Sequence, residues 1–199
     1  MKKNEVNYNN AESNKLTETQ ISSNHVFDGS LLQVYVDEVR LPDGETSTRD
    51  WIKHPGASAV VPVFKDGSVM LLKQFRYPAR KIFIEVPAGK LDAGEPPEKT
   101  AERELFEETG IKCTDLAKAG SFFPAIGYAD EIIHVYAAWG LELHSSRQDD
   151  DEFVLNHRVP FSEALAMIES GEIDDGKTIC SLYQVHRWWK KNGPFEVQF

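Results

Sequence analysis

Polar and apolar positions alternate early in the chain. Leu32, Val34 and Val36 are separated by more polar neighbours, Pro42-Asp43-Gly44 follows, and a second mixed run reaches His54. Period-two alternation on both sides of a turn triplet predicts a β-hairpin over Leu31–His54. The run Val60–Phe64, the triplet Lys65-Asp66-Gly67 and the run Val69–Phe75 predict another hairpin. β character continues through Ile82–Val86, with further strands expected at Gly120–Phe123 and Glu131–Ala138. After Gly94 the period changes. Pro96 and Pro97 suit the first turn of a helix, Ala101 and Leu105 lie four apart on one face, and Gly110 is a helix stop. A second helix is expected in PFSEALAMIESGEI, opened by Ser162 and closed by Gly171, and a last one in KTICSLYQVHRWWKKNG, ending at Gly193. Residues 1–22 show no period and are rich in Asn, Lys, Glu, Ser and Thr, which predicts a flexible tail. Many strands with interleaved helices and no internal repeat predict an α+β fold, an α/β/α sandwich.

Composition changes this picture little. A chain of 199 residues with 41% hydrophobic and 27% charged positions can bury one core of ordinary size. The formal net charge of -10 leaves no basic footprint for nucleic acid. A phosphorylated substrate stays open, because a bound cation can reverse the local field. Cys113 and Cys180 make no disulfide framework and fit a reducing compartment. The polar start lacks the apolar core of a secretory signal, and no stretch approaches the length of a membrane span. These features predict a cytoplasmic protein with no membrane and no nucleic-acid partner.

The candidate chemistry lies in GKLDAGEPPEKTAERELFEETGI, Gly89 to Ile111. Like charges three and four apart on a helix repel, by roughly 0.2–0.5 kcal/mol per pair. Glu104, Glu107 and Glu108 nevertheless share one helical face. Three carboxylates on a rigid face suit a hard cation such as Mg²⁺ or Mn²⁺, whose binding would offset the repulsion. Arg103 can hold one carboxylate in place, and Gly89 and Gly94 let the backbone approach closely. A solvated acidic helix face is the plain alternative. The six histidines form no H-E-x-x-H pattern, and Gly176-Lys177-Thr178 lacks the upstream glycine of a phosphate-binding loop.

The spacing decides between these readings. Gly89, five residues, Glu95, seven residues, then Arg103-Glu104-Leu105-Phe106-Glu107-Glu108-Thr109-Gly110-Ile111 resembles the Nudix box, G-x5-E-x7-R-E-U-x-E-E-x-G-U with U aliphatic, at every specified position. The resemblance implies a Nudix fold with a mixed central sheet and an N-terminal antiparallel hairpin region. After the tail over 1–22, it implies an N-terminal β region over 23–55 that dimerises and a hydrolase domain over 56–199. By the same resemblance Glu104 and Glu108 would ligate Mg²⁺ directly. Glu107 would ligate it directly or through water, and Ala88 would add its carbonyl. Glu95 and Arg103 would organise the loop and helix.

The flanks HPGASAVVPV, LLKQFRYPARKIFIEVPAGKLDAGE and FFPAIGYADEIIHVYAA resemble ADP-ribose pyrophosphatases and related nucleotide-sugar hydrolases. That subgroup implies cleavage of a nucleotide sugar to a nucleoside monophosphate and a sugar phosphate, by a homodimer. It implies substrate contacts by Arg49, Trp51, Glu85, Gly127 and Glu131, with plain packing the alternative for Trp51 and a strand-end charge for Glu85; Arg76 and Arg80 can grip a phosphate or stack on a base, with a surface cation the alternative. Ile126 stands where the subgroup has proline, which brings in GDP- and UDP-sugars as competitors. A carboxylate from the acidic run after the box would position or deprotonate the attacking water, with Glu152 first in line and Asp150 second. A non-catalytic nucleotide-sensing module is the remaining alternative.

Overall fold

The computed structural model describes residues 10–144 and 153–199. They form two compact units: residues up to His54 with Ala125–Asp130, and Pro55–Pro124 with Glu131–Phe199.

The first unit is an antiparallel sheet in the order β1 (Thr19–Asp28), β2 (Gln33–Arg40), β3 (Thr46–Lys53). The predicted hairpin is β2–β3. Its turn is tied by the Asp43 carboxylate, which accepts from the Glu45 amide at 3.0 Å, while Gly44 takes a positive φ of 94°. The segment read as a tail differs from expectation: a short helix α1 (Asn10–Leu16) and the start of β1 lie within it. The polar residues of β1 pair with β2 through backbone bonds, a gain that alternation and hydrophobicity do not register. His25, Tyr35 and Trp51, opposite one another on the three strands, stack at centroid distances of 4.5 and 5.0 Å. The 125–130 loop joins this unit, with the Ile52 amide donating to the Tyr128 carbonyl at 2.8 Å.

The second unit is a three-layer sandwich. One sheet runs β7 (Ala88–Lys90), β4 (Ala57–Pro62), β9 (Ile133–Leu143), β8 (Ile111–Phe122); another runs β10 (Val154–Pro160), β5 (Ser68–Arg76), β6 (Lys81–Glu85). β4 pairs antiparallel with β7 and parallel with β9, so the sheet is mixed. Every residue of β4 is buried, and its alternate side chains serve opposite layers. Ala57, Ala59, Val61 and Val63 join the core with Phe161, Ala164, Leu182 and Val185 from α3 (Phe161–Glu169) and α4 (Gly176–Asn192). Val60 joins Ala101 and Leu105 of α2 (Pro97–Thr109), with Ile111 and Tyr136.

The expected hairpin across Lys65-Asp66-Gly67 is corrected. β4 and β5 lie in different sheets: the turn closes through the Val63–Val69 bridge and the Phe64 amide donating to the Ser68 carbonyl at 2.8 Å, but the two strands form no continuous ladder. Alternation marks a strand but does not say which neighbour it pairs with. β8 starts well before Gly120, and β10 was not predicted. The helix after Pro96 spans Pro97–Thr109 and ends at Gly110, whose φ of 72° fits the left-handed C-cap. α3 starts at Phe161 behind Pro160 with no side-chain cap, so Ser162 does not open it.

Candidate active site

α2 presents its glutamates toward β7. Ala101 and Leu105 bury the adjoining stripe, on the side where Glu108 is also buried, and this fixes the rotation of the helix. The hydroxyl of Ser58 on β4 donates to the Pro97 carbonyl at 2.7 Å and ties the start of the helix to the sheet. Along the acidic face exposure is graded. Glu108 is buried, the Glu104 side chain is 12% exposed, and that of Glu107 is 33% exposed at the rim.

Each carboxylate has a defined support. Glu108 Oε2 accepts from the Ala88 amide at 2.9 Å, joining the end of α2 to β7. Arg103 Nη1 donates to Glu104 Oε1 at 2.8 Å and to Glu107 Oε2 at 2.9 Å. Its Nε and Nη2 fork reaches Glu95 at 3.2 and 3.1 Å, and Nη2 also donates to the Lys90 carbonyl at 3.2 Å. The hydrogen bonds from Arg103, helped by Thr100 and the Asp92 amide, pull the Glu95 carboxyl down to about 2. The same Glu95 contact, then Glu104 and Glu107, raises Arg103 above the ordinary arginine range. The loop before α2 is thus fastened to the helix by one guanidinium.

Gly89 is required for this packing. A Cβ built there would lie 1.8 Å from Glu104 Oε1, so the carboxylate fills the space a side chain would take. Among the described residues, no group of His, Cys, Asp or Glu converges into a finished metal cage. What is present is a set of hard oxygen donors on one helix face beside a side-chain-free backbone. That set fits a divalent cation held by Glu104, Glu107 and Glu108, with Ala88 adjacent.

The predicted substrate residues are shared between the two units. Arg76 grips Glu85 with Nε and Nη2, both at 2.7 Å. Arg80 stacks its guanidinium 3.4 Å from the Tyr77 ring centre, in a left-handed backbone conformation with φ 56°. Arg49 pairs with Glu18 and donates to the Thr48 carbonyl at 2.8 Å, and Trp51 stacks on Tyr35. Gly127 lies in the first unit with open space where a side chain would be, and half-buried Glu131 precedes β9. Glu152 and Asp150 lie outside the described residues.

Sequence reasoning missed Asp175 and Lys177, at the start of α4. Lys177 Nζ donates to Glu85 Oε2 at 2.9 Å across 92 residues of chain. No local pattern marks such a pair.

The chain matches the NUDIX domain over residues 53–182 and the nucleoside diphosphate sugar hydrolase N-terminal domain over 18–52. It is 44% identical over 169 residues to an ADP-ribose pyrophosphatase of Bacillus subtilis (strain 168), covering 84% of this chain and 91% of that protein. It is 41% identical to a methanol dehydrogenase activator of Bacillus methanolicus, covering 83% of this chain and 90% of that one. Among solved structures, an ADP compounds hydrolase superposes with a TM-score of 0.79 at 22% identity, covering 89% of this chain and 97% of the other, a likeness of fold. The fold and site therefore define a mixed α/β/α hydrolase. The chain belongs to the Nudix family and is a Nudix hydrolase, a family that works with divalent metal ions.

Proposed function

We propose that the protein hydrolyses the diphosphate of ADP-ribose or a related nucleotide sugar, yielding a nucleoside monophosphate and a sugar phosphate, with Mg²⁺ as the ion and Mn²⁺ as a substitute. The observation that carries this reading is the seating of Glu104, Glu107 and Glu108 on one face of α2, braced by Arg103 and packed against Gly89. The match of residues 18–52 to a nucleoside diphosphate sugar hydrolase N-terminal domain supports the substrate class. So does the 44% identity to an ADP-ribose pyrophosphatase.

Glu104, Glu107 and Glu108 would hold a divalent ion, which would offset the charge of the diphosphate and lower the pKa of a bound water. The chain's own residues do the rest. Arg103 holds Glu104 and Glu107 in one arrangement, so their orientation precedes substrate binding. The Ala88 amide fixes Glu108. Arg76, held from behind by Glu85, offers charge to the substrate's phosphates. Glu152, with Asp150 second, takes the proton as water adds to phosphorus and the bridging P–O bond breaks. Arg49, Trp51, Arg80, Gly127 and Glu131 serve the remainder of the nucleotide. The protein works as a cytoplasmic homodimer through its N-terminal sheet.

The test is a comparison of kcat/KM for ADP-ribose, GDP-mannose, UDP-glucose and dinucleoside polyphosphates with Mg²⁺. Nucleotide sugars are expected to lead, with ADP-ribose first. Ile126, exposed in place of the subgroup's proline, keeps GDP- and UDP-sugars in the panel. A clear preference for dinucleoside polyphosphates overturns the substrate class. Glu108→Gln should keep the fold and lose at least about 100-fold in turnover, the upper end of what loss of a ligand's supporting residue costs. Parental turnover in that variant removes Glu108 from the metal site.

A further inference from the structure

A second charged cluster stands at the start of α4. Glu85, at the end of β6, is 3% exposed. A carboxylate that deep costs several kcal/mol unless it is compensated. Two cations compensate it: Arg76 through its fork, and Lys177 at 2.9 Å. Burial works to raise the Glu85 carboxyl, yet these cations hold it below its ordinary value. Lys177 also reaches Asp175 Oδ2 at 3.1 Å. Asp175 in turn caps α4, accepting from the Thr178 amide at 2.9 Å and from its hydroxyl at 2.6 Å. The cluster, with Pro78, Ala79 and Phe83, lines a cavity of about 290 Å³.

The two cations are placed differently. The Arg76 side chain is 43% exposed and that of Lys177 is 17% exposed. The Arg76 fork uses Nε and Nη2, so Nη1 keeps its hydrogens free of any partner among the described residues. Lys177 shares Glu85 with Arg76 and also pairs with Asp175, so two cations and two carboxylates balance in this cluster. The fork fixes the plane of the guanidinium against Glu85, with Nη1 outside the pair. Beside Lys177, Thr178 Oγ1 accepts from the Val86 amide at 3.0 Å, so the same helical turn grips the chain before Ala88.

The geometry points to Lys177 as a positioning residue for substrate binding: by sharing Glu85 it orients the Arg76 fork and leaves Nη1 to meet a nucleotide sugar's phosphates. This rests on the proposed function. The Gly176-Lys177-Thr178 triplet thereby gains a use unrelated to a phosphate-binding loop.

The test is steady-state hydrolysis of ADP-ribose at saturating Mg²⁺ by wild type, Lys177→Met and Lys177→Arg, with thermal unfolding of each. Lys177→Met is expected to raise KM about tenfold with kcat within about twofold, the signature of lost binding shared by ground and transition states. Lys177→Arg is expected to restore KM to within about threefold of wild type. An unchanged KM in Lys177→Met overturns the inference. So does a parallel loss of kcat and melting temperature that arginine fails to repair, which marks a merely structural lysine. Wild type that turns over no nucleotide sugar overturns the proposed function before any variant is compared, and this inference with it.

Discussion

Gly89 carries no side chain, and the Glu104 carboxylate fills the space where one would be. The box glycine is a steric requirement here, since a Cβ 1.8 Å from Glu104 Oε1 forces either the carboxylate or β7 to move. β7 is paired to buried β4 on one side, so the carboxylate is the part that yields. Gly89→Ala should therefore lower apparent Mg²⁺ affinity in the hydrolysis assay by about 10–100-fold, the cost typical of disturbing a ligand's support. Its melting temperature should stay close to wild type, because the displaced group is partly exposed. Wild-type Mg²⁺ dependence in this variant would show that the Glu104 position is not critical. These residues were legible in the sequence because each acts within a short, fixed spacing. Lys177 was not, since its partner Glu85 lies 92 residues away and only the folded chain brings them together.

At the scale of elements, the loop before α2 is held by ion pairing where side-chain capping is missing. Pro96 sits at the N-cap with no side-chain hydrogen bond, and Glu95 instead receives the Arg103 fork and the Thr100 hydroxyl at 2.8 Å. The sign of the pH effect follows. Glu95 falls from an ordinary 4.5 to about 2 in the folded protein, so its contribution is fully present above 4.5 and is lost as pH falls toward 2. Glu95→Gln should flatten the melting temperature against pH between about 4.5 and 2, because it removes one carboxylate whose folded and unfolded affinities for protons differ. An identical acid limb in wild type and variant would mean that the pair contributes nothing to stability. α2 itself was legible because its apolar spacing, opening prolines and closing glycine agree. The ladder partners of β4 and β5 were not. A buried strand reads as an apolar run whatever lies beside it, and the turn at Lys65-Asp66-Gly67 serves a crossing between sheets as well as it serves a hairpin. The long polar start of β8 hid for a related reason: Lys112, Asp115 and Lys118 interrupt the alternation while the backbone pairs with β9 on both sides of a register shift between Lys118 and Gly120.

At the scale of the molecule, the N-terminal sheet raises a question of cover. β1 is the edge of its sheet, ten residues long, and every residue in it is exposed, including Ile21, Val26 and Phe27. A long edge strand with apolar side chains invites pairing with another chain, and proteins ordinarily blunt such edges with charge, proline or a covering element. Here the edge has few charges and no proline. A second copy of the chain is the cover that fits the proposed homodimer. Light scattering at micromolar protein should then give twice 22.5 kDa for wild type. Val26→Lys, which plants a charge in the exposed strand without disturbing a buried contact, should shift the mass toward 22.5 kDa on dilution. Its catalytic loss should follow the loss of dimer if the N-terminal sheet serves the active form. A wild-type mass of 22.5 kDa at every concentration would leave β1 an uncovered edge and remove the homodimer from the proposed function.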